Sequence, residues 1–324
     1  MQILVVGGAG YIGSIVVEEL IKDKNVNKII VLDDLSTGFK ESIPSNIDFV
    51  LGSILDKNTL DKVFKENKID LVIHLAAKTS VAESVLKPSE YWESNLYGTS
   101  NLLIYMKKYN VKKIIFSSTA AVYGEVKSVP INETDDTIPV NPYGSSKLAC
   151  EKLICEENFI NNIEYVIFRY FNVAGASEKN GLRLKKPTLL IPNINKSIIE
   201  ETTFNLFGND YDTFDGTNIR DYIHVKDIAQ AHLNAIEWLS VEENKKAILN
   251  LGNQTGYSNM QIINKTEEVL NKKVNYEIKG RRKGDPSILI TNNDLAKKTI
   301  NWKATSNLDS MIISDYEFRK IKDK

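Results

Sequence analysis

Short, unbroken apolar runs alternate along the first half of the chain with amphipathic stretches, and each run ends in small or polar residues. Residues 3–6 end at Gly7, 29–32 at Asp33-Asp34, and 47–51 at Gly52-Ser53-Ile54. Residues 70–75 give way to Ala76-Ala77-Lys78, 114–116 to Ser117-Ser118-Thr119, and 164–169 to Tyr170-Phe171-Asn172. A strand with one wet face alternates apolar and polar positions, so continuous apolar strands predict a parallel sheet covered on both faces. The intervening patterns predict helices over 14–22, 58–67, 89–109 and from Tyr143 onward. Strand and helix in alternation mean an α/β fold with a doubly wound parallel sheet.

After Asn172 the texture changes. Loops lengthen (175–187 and 208–218), strands shorten, and a helix is expected over 226–239 behind Arg220-Asp221-Tyr222-Ile223-His224. The expected organisation is a nucleotide-binding domain over 1–172 and a smaller α+β lobe over 173–324, with about 222–255 packing back onto the first domain.

Composition narrows the function classes. At 324 residues, 42% hydrophobic and 26% charged, the chain reads as an ordinary globular protein. A net charge of −1 gives no electrostatic case for nucleic acid or an anionic membrane. Lysine pairs such as Lys107-Lys108, Lys112-Lys113 and Lys185-Lys186 read as solvated faces. The two cysteines, Cys150 and Cys155, lie on one expected helix at a spacing that suits neither a metal site nor a redox pair, so reduced, packed thiols are expected. The chain enters a strand at Gln2 without an apolar leader and has no run of membrane length, from which a cytoplasmic protein is expected. No metal site is expected.

Two stretches carry candidate chemistry. In the first, Gly7-Gly8-Ala9-Gly10-Tyr11-Ile12-Gly13 closes a strand and opens a helix; Gly8, Gly10 and Gly13 fit GxGxxG while Gly7, Gly10 and Gly13 fit GxxGxxG. Glycines there allow a tight turn, close approach of backbone N–H groups to a pyrophosphate, and close helix–strand packing. Asp33, twenty residues after Gly13, stands where a carboxylate accepts from the ribose hydroxyls of an adenosine. It would repel a 2′-phosphate, and no arginine follows, so NAD is expected rather than NADP. This is the pattern of a Rossmann domain.

In the second, Tyr143-Gly144-Ser145-Ser146-Lys147 puts a phenol and an ammonium one turn apart on one helical face. At pH 7 only about one phenol in a thousand is the phenolate base, and making it a working base takes ~4 kcal/mol. An ammonium ~5 Å away contributes roughly 3 kcal/mol at an effective dielectric near 20. The Thr119 hydroxyl could complete a proton path to a substrate. Separately, Arg220 and the Arg281-Arg282-Lys283-Gly284-Asp285 stretch suit a diphosphate, because guanidinium forks bind phosphate oxygens in pairs. His74, just before a strand's end, reads as a packed histidine.

These motifs identify a family resemblance over residues 1–302. The chain resembles the extended short-chain dehydrogenase/reductases and, among them, the UDP-glucose 4-epimerases. The resemblance is carried by GGAGYIGS at 7–14, LDDLSTG at 32–38, HLAAKTSVAES at 74–84, SSTAAVYG at 117–124, NPYGSSK at 141–147, RYFN at 169–172, LFGNDYDTFDGTNIRDYIHV at 206–225 and GRRKGDP at 280–286. It implies interconversion of UDP-glucose and UDP-galactose: oxidation at sugar C4 by a retained NAD, rotation of the 4-keto sugar, and reduction on the opposite face. Tyr143 would be the acid/base, Lys147 its partner and a ribose ligand, and Thr119 the bridging hydroxyl. Gly7, Gly10, Tyr11, Ile12, Gly13, Asp33, Asp34, Leu35, Ser36, Thr37, Gly38, Ser53, Ile54, Leu75, Ala76, Ala77, Lys78, Thr79, Ser94 or Asn95, Ser117 and Phe171 would surround NAD together with Tyr143 and Lys147. Asn172, Leu189, Phe207, Arg220, Arg282, Asp285 and Leu289 would hold the UDP-sugar beside Thr119 and Tyr143. The family usually forms homodimers through the helices at 94–109 and 143–159, and the resemblance implies the same here.

Three positions depart from the family pattern. Ser53 replaces an aspartate at the adenine, Thr188-Leu189 lacks an asparagine near the phosphates, and Leu289 has intermediate size at the gate for N-acetyl sugars. UDP-N-acetylglucosamine and UDP-glucuronate epimerases are therefore alternatives. A nucleotide-sugar dehydratase needs an Asp-Glu pair where this chain has Thr119-Ala120-Ala121, and a catalytically silent NAD-binding protein would not need both Tyr143 and Lys147.

Overall fold

The computed structural model describes residues 1–183, 189–241, 244–282 and 285–322. Seven parallel strands form the main sheet: β1 (Gln2–Val6), β2 (Lys28–Asp33), β3 (Asp48–Leu51), β4 (Leu71–His74), β5 (Lys113–Thr119), β6 (Glu164–Tyr170) and, after three strands placed elsewhere, β10 (Lys246–Leu251), in the spatial order β10-β6-β5-β4-β1-β2-β3. The reason is visible along β1. Ile3 and Val5 enter one apolar layer, Leu4 and Val6 the other, and all four are almost fully buried. Burying each such side chain contributes about 1.5–3 kcal/mol, so neither face can be left wet. Helices α1 (Tyr11–Leu20), α8 (Val225–Val241) and α10 (Asp294–Ile300) cover the first face; α2 (Lys57–Glu66), α5 (Gly98–Lys108) and α6 (Pro142–Asn161) cover the second.

The chain winds outward through β1, β2 and β3 in one direction and through β4, β5, β6 and β10 in the other. The direction reverses between β1 and β4, so a crevice opens at their carboxyl ends, where ligands bind in open α/β sheets.

The remaining elements build the second lobe. Here β7 (Asn172–Ala174), β9 (Ile219–His224), β11 (Gly256–Ser258) and β13 (Ile288–Leu289) make a small mixed sheet, while β8 (Phe204–Phe207) pairs with β12 (Tyr276–Lys279). Helices α7 (Leu190–Ile199), α9 (Asn259–Leu270) and α11 (Leu308–Lys322) enclose the lobe's own core with Phe204, Leu206 and Tyr222. Residues 220–224, expected only to precede a helix, form a strand of this sheet.

Several boundaries differ from the sequence expectation. The helix after the glycine turn starts at Tyr11 rather than Ser14, because Gly10 already takes the N-cap position. Strand β5 does not end at Phe116: Ser117, Ser118 and Thr119 continue it, opposite Phe168, Arg169 and Tyr170 of β6. The single helix expected over 89–109 is α4 (Pro88–Tyr91), a π-helical turn over Trp92–Tyr97, and α5; a separate helix, α3 (Val81–Leu86), precedes them. A π turn inserts one residue into the helical repeat and turns side chains that a regular helix would point elsewhere. Among the described residues, no helix is long and apolar enough to cross a membrane.

Candidate active site

The glycine turn lies in the crevice because no side chain fits there. Gly7 has φ +80°, and a Cβ on it would lie 2.4 Å from the backbone nitrogen of Ala76; a Cβ on Gly13 would meet the Gly7 carbonyl at 2.2 Å. The Gly10 N-cap of α1 has no side-chain cap, which leaves the first-turn N–H groups open to an anion. Asp33 Oδ2 accepts from the Ala9 N–H at 2.9 Å and Oδ1 from the Leu35 N–H at 2.8 Å. The carboxylate assigned to ribose thus also ties the glycine turn to the end of β2, and burial raises its pKa against those two hydrogen bonds. Gly38 closes over both, since a Cβ there would meet Ala9 and the Asp33 carboxylate at 2.9 Å. Asp34, Ser36 and Thr37 stand at the rim, with Asp34 accepting from the Ser36 N–H at 2.9 Å.

Other expected cofactor residues have partners within the protein. The Tyr11 hydroxyl donates to the Gly175 carbonyl at 2.6 Å. Ser53 caps the Leu55 N–H at 3.3 Å, and Ile54 is turned into the core, where its carbonyl accepts from Asn101 at 3.2 Å. Leu75, Ala76 and Ala77 line the turn after β4, and Thr79 is exposed. Of Ser94 and Asn95, the π turn buries Asn95. Its amide accepts from the Lys78 N–H at 2.8 Å, donates to the Lys78 carbonyl at 3.1 Å, and donates to Ser146 at 3.0 Å. One side chain therefore joins the turn after β4 to α6. The Lys78 ammonium pairs with Glu90.

Helix α6 is placed by its first turn. The Asn141 side chain caps the Gly144 N–H at 2.8 Å, Pro142 takes the first helical position, and Gly144 packs so tightly that a Cβ would lie 2.5 Å from the Ala121 carbonyl. That contact brings Tyr143 to the end of β5. Thr119 Oγ1 accepts from the Ala121 N–H at 3.1 Å, which leaves its proton free to donate to the Tyr143 oxygen. Tyr143 also meets Tyr91 edge-on, with centroids 6.4 Å apart.

Lys147 is 2% exposed, with Nζ 4.2 Å from the Phe116 ring centroid. Burial pushes its pKa down to about 8, while Cys150 and Glu151 act in the opposite direction. Burial pushes the Tyr143 phenol up, and the Thr119 hydrogen bond offsets only part of that. The downward shift expected from Lys147 is therefore not found in the chain alone: desolvation of the phenolate dominates, and the lowering that opposes it comes from Thr119 rather than from Lys147. His74 is packed, as expected: Nε2 lies 3.0 Å from Thr99 Oγ1, and burial followed by the Lys147 charge lowers its pKa to about 3. The Tyr170 hydroxyl lies 3.0 Å from His232 Nε2, and Ser117 sits one strand over in β5, opposite Phe168.

Across from α6, a cavity of about 450 Å³ is lined by Asn172, Leu189, Phe207, Arg220, Arg282 and Asp285, six of the expected substrate residues. The Arg282 guanidinium lies 4.1 Å from the Phe207 ring centroid. Arg220 is buried and held by the Ile219 and Pro286 carbonyls at 2.9 and 2.7 Å and by Asp285 at 3.5 Å. Thr119, Tyr143 and Leu289 lie outside this lining. Leu289 instead packs with Phe171, Ala120 and Tyr123, so the adjacent residues Phe171 and Asn172 join the two regions. Four lining amides escaped the sequence reading: Asn193, Asn205, Asn218 and Asn259. They come from separate elements with no shared spacing; Asn218 falls within the motif at 206–225, and no motif marks the other three. Lys185, Lys186, Thr188, Lys283 and Gly284 lie outside the described residues.

The profile of the NAD dependent epimerase/dehydratase family matches residues 3–252. The chain belongs to that family. A UDP-glucose 4-epimerase of Lactobacillus helveticus is 41% identical over 324 residues, covering 99% of this chain and 97% of the relative. The crystal structure of UDP-glucose 4-epimerase from Bifidobacterium longum in complex with NAD+ and UDP superposes with a TM-score of 0.94 at 37% identity, covering 100% and 99% of the two chains. The UDP-Glc/GlcNAc 4-epimerase of Campylobacter jejuni superposes with a TM-score of 0.85 at 36% identity, covering 99% of each. The epimerase/dehydratase cofactor fits this crevice: the α1 N-terminus, without a side-chain cap, offers its N–H groups to a pyrophosphate, and Asp33 disfavours a 2′-phosphate.

Proposed function

We propose that the protein interconverts UDP-glucose and UDP-galactose, with NAD retained between turnovers. The observation that carries this reading is the first turn of α6, packed through Gly144 on the Ala121 carbonyl just past Thr119, which carries Tyr143 and leads to the buried Lys147, joined through Phe171 and Asn172 to a cavity with two arginines. Bound NAD would supply the acceptor and donor of the C4 hydride. The chain's own residues would do the rest. Tyr143 takes the proton of the 4-hydroxyl and returns it, Thr119 orients that hydroxyl, and Lys147 supplies positive charge along the same helical face. Arg220 and Arg282 hold the diphosphate while the sugar turns, and Phe171 and Leu289 form the wall beside it. The relatives' names, the family and the cavity's size support the reading.

The same reading assigns residues 1–172 with about 222–255 to the cofactor and 173–324 to the UDP-sugar. It carries a homodimer through α5 and α6, where Ile104, Phe159 and Ile160 are exposed. It also carries a cytoplasmic role in galactose metabolism, which suits the two free thiols.

The test is conversion of UDP-galactose by the purified protein without added cofactor, beside Tyr143→Phe. Turnover that vanishes in the variant supports the reading; an inactive wild-type protein with NAD bound refutes it. Leu289, intermediate in size at the expected gate, leaves activity on UDP-N-acetylhexosamines open; if it is the gate, Leu289→Tyr should suppress that activity while sparing UDP-galactose.

A further inference from the structure

Tyr143, Lys147 and Glu151 follow one another at four-residue intervals along one stripe of α6, and only the first two have a part in the chemistry proposed above. Glu151 and Lys147 are each 2% exposed. The Ser118 hydroxyl donates to Glu151 Oε1, and Arg169 donates from Nε at 3.1 and 3.2 Å and from Nη2 at 2.7 Å. Ser118 and Arg169 are opposite one another in the β5–β6 ladder, one rung below Thr119 and Tyr170. The carboxylate is thus fixed to the rung next to the one that presents the Thr119 hydroxyl. We infer that Glu151 is a positioning residue for the proton-transfer pair, seating α6 on β5 and holding the Lys147 ammonium charged in a site closed to water. The inference rests on the acid/base reading of Tyr143 and Lys147.

The surroundings leave Glu151 as the compensating charge. Lys147 is faced by Cys150 from its own helix, by the neutral His74 from β4, and by the Phe116 ring from β5, with Tyr143 one turn away along α6. Arg169 on β6 adds a second buried cation, whose remaining donors go to Tyr123 at 2.9 Å and the Glu133 carbonyl at 3.2 Å. Two cations therefore share one buried carboxylate. The opposition of Glu151 to the burial-driven fall of the Lys147 pKa has the matching sign.

Glu151→Gln would leave Arg169 unpaired, which by itself destabilises a fold. The decisive comparison therefore adds the double variant Glu151→Gln/Arg169→Gln, which removes both charges of the pair and leaves Lys147 in place. Two readouts are taken on the holoenzymes: the pH dependence of kcat and KM for UDP-galactose, and the ultraviolet titration of the Tyr143 phenol, as the difference from the matching Tyr143→Phe protein. The second needs no substrate, so it stands even where the UDP-hexose reading fails. In both variants the alkaline limb of kcat should fall about one pH unit lower, the Tyr143 phenol should titrate about one unit higher, and KM should hold within about threefold. If the double variant recovers the wild-type limb and phenol titration, Glu151 serves only Arg169 and the inference is overturned. A wild-type titration in Glu151→Gln itself overturns it equally. If the single variant does not fold, the double variant decides alone.

Discussion

Replacing Gly144 by alanine sets two effects of opposite sign against each other. In an unobstructed helix the change favours folding by roughly 0.5–1 kcal/mol, because alanine has less backbone entropy to lose. Here the new Cβ would lie 2.5 Å from the Ala121 carbonyl oxygen and 3.0 Å from its carbon. Ordinary contact is nearer 3.4 Å, so α6 and the Ala121 carbonyl must part by about 0.9 Å, at the ~1–3 kcal/mol typical of overpacking. The net stability change is a loss of about 0–2 kcal/mol. The functional loss should be larger, because the displaced carbonyl belongs to the residue whose N–H, in the preceding peptide, holds the Thr119 hydroxyl, and the displaced helix carries Tyr143. A misplacement approaching 1 Å costs about a hundredfold in rate when geometry limits catalysis. The assay is kcat and KM for UDP-galactose beside thermal unfolding, with Ser145→Ala as a control one residue along. The expectation is kcat down about a hundredfold, KM nearly unchanged and Tm down by a few degrees. A variant that gained stability and kept full kcat would refute the close-packing account of how α6 is placed.

Three further outcomes can be checked. Arg282→Met keeps the apolar stem on Phe207 but removes the fork, so KM for UDP-galactose should rise about 10- to 100-fold with kcat little changed in steady-state kinetics. Asp221, buried in β9 and accepting from the Asn253 and Thr291 N–H groups at 2.6 and 3.1 Å, has its pKa raised to about 7 by burial. Its folded value exceeds its unfolded one, so its contribution to stability is fully present below about pH 4 and declines as pH rises through about 7. Denaturant unfolding from about pH 4 to about pH 8 should show that decline flattened in Asp221→Asn, and an identical slope in the two proteins would contradict the assignment. Phe159 is 88% exposed on α6, so Phe159→Asp should leave the protomer folded by circular dichroism and convert the proposed dimer to monomer in sedimentation velocity.

The sheet was legible because burial on both faces forces an unbroken apolar run, and all six strands expected before Asn172 occur. Strand ends were less legible. Ser117, Ser118 and Thr119 have the composition of a loop, yet their backbone groups pair with β6, and Ser118 is buried on Glu151. Polarity in that stretch reported function, and was taken for the end of the strand. The π turn was hidden for a different reason: hydrophobic spacing cannot register one inserted residue, and Asn95 shows its role only through partners 17 and 51 positions away. The lining amides of the cavity are likewise joined only by the tertiary fold. The pKa of Tyr143 marks the limit of reasoning from spacing, since a nearby ammonium was foreseeable and the desolvation opposing it was not.

Desolvation and anchoring together suggest how one site could serve both faces of a sugar. With its phenol raised by burial, Tyr143 in the chain alone is held as the acid, hydrogen-bonded by Thr119. Extra positive charge brought by a bound, oxidised cofactor would favour the base, so the proton state of Tyr143 would follow the oxidation state of the site. The second lobe meets the complementary requirement. Leu289 and Arg220 are register partners in the β13–β9 ladder, so on the proposed reading the diphosphate anchor and a wall of the sugar pocket would belong to one small sheet. That sheet continues through β7, whose first residue, Asn172, lines the cavity directly after Phe171. A ligand gripped at its phosphates could then turn its sugar against a wall that keeps its distance from the grip. Loosening the ladder, rather than either side chain, should be what uncouples binding from turnover.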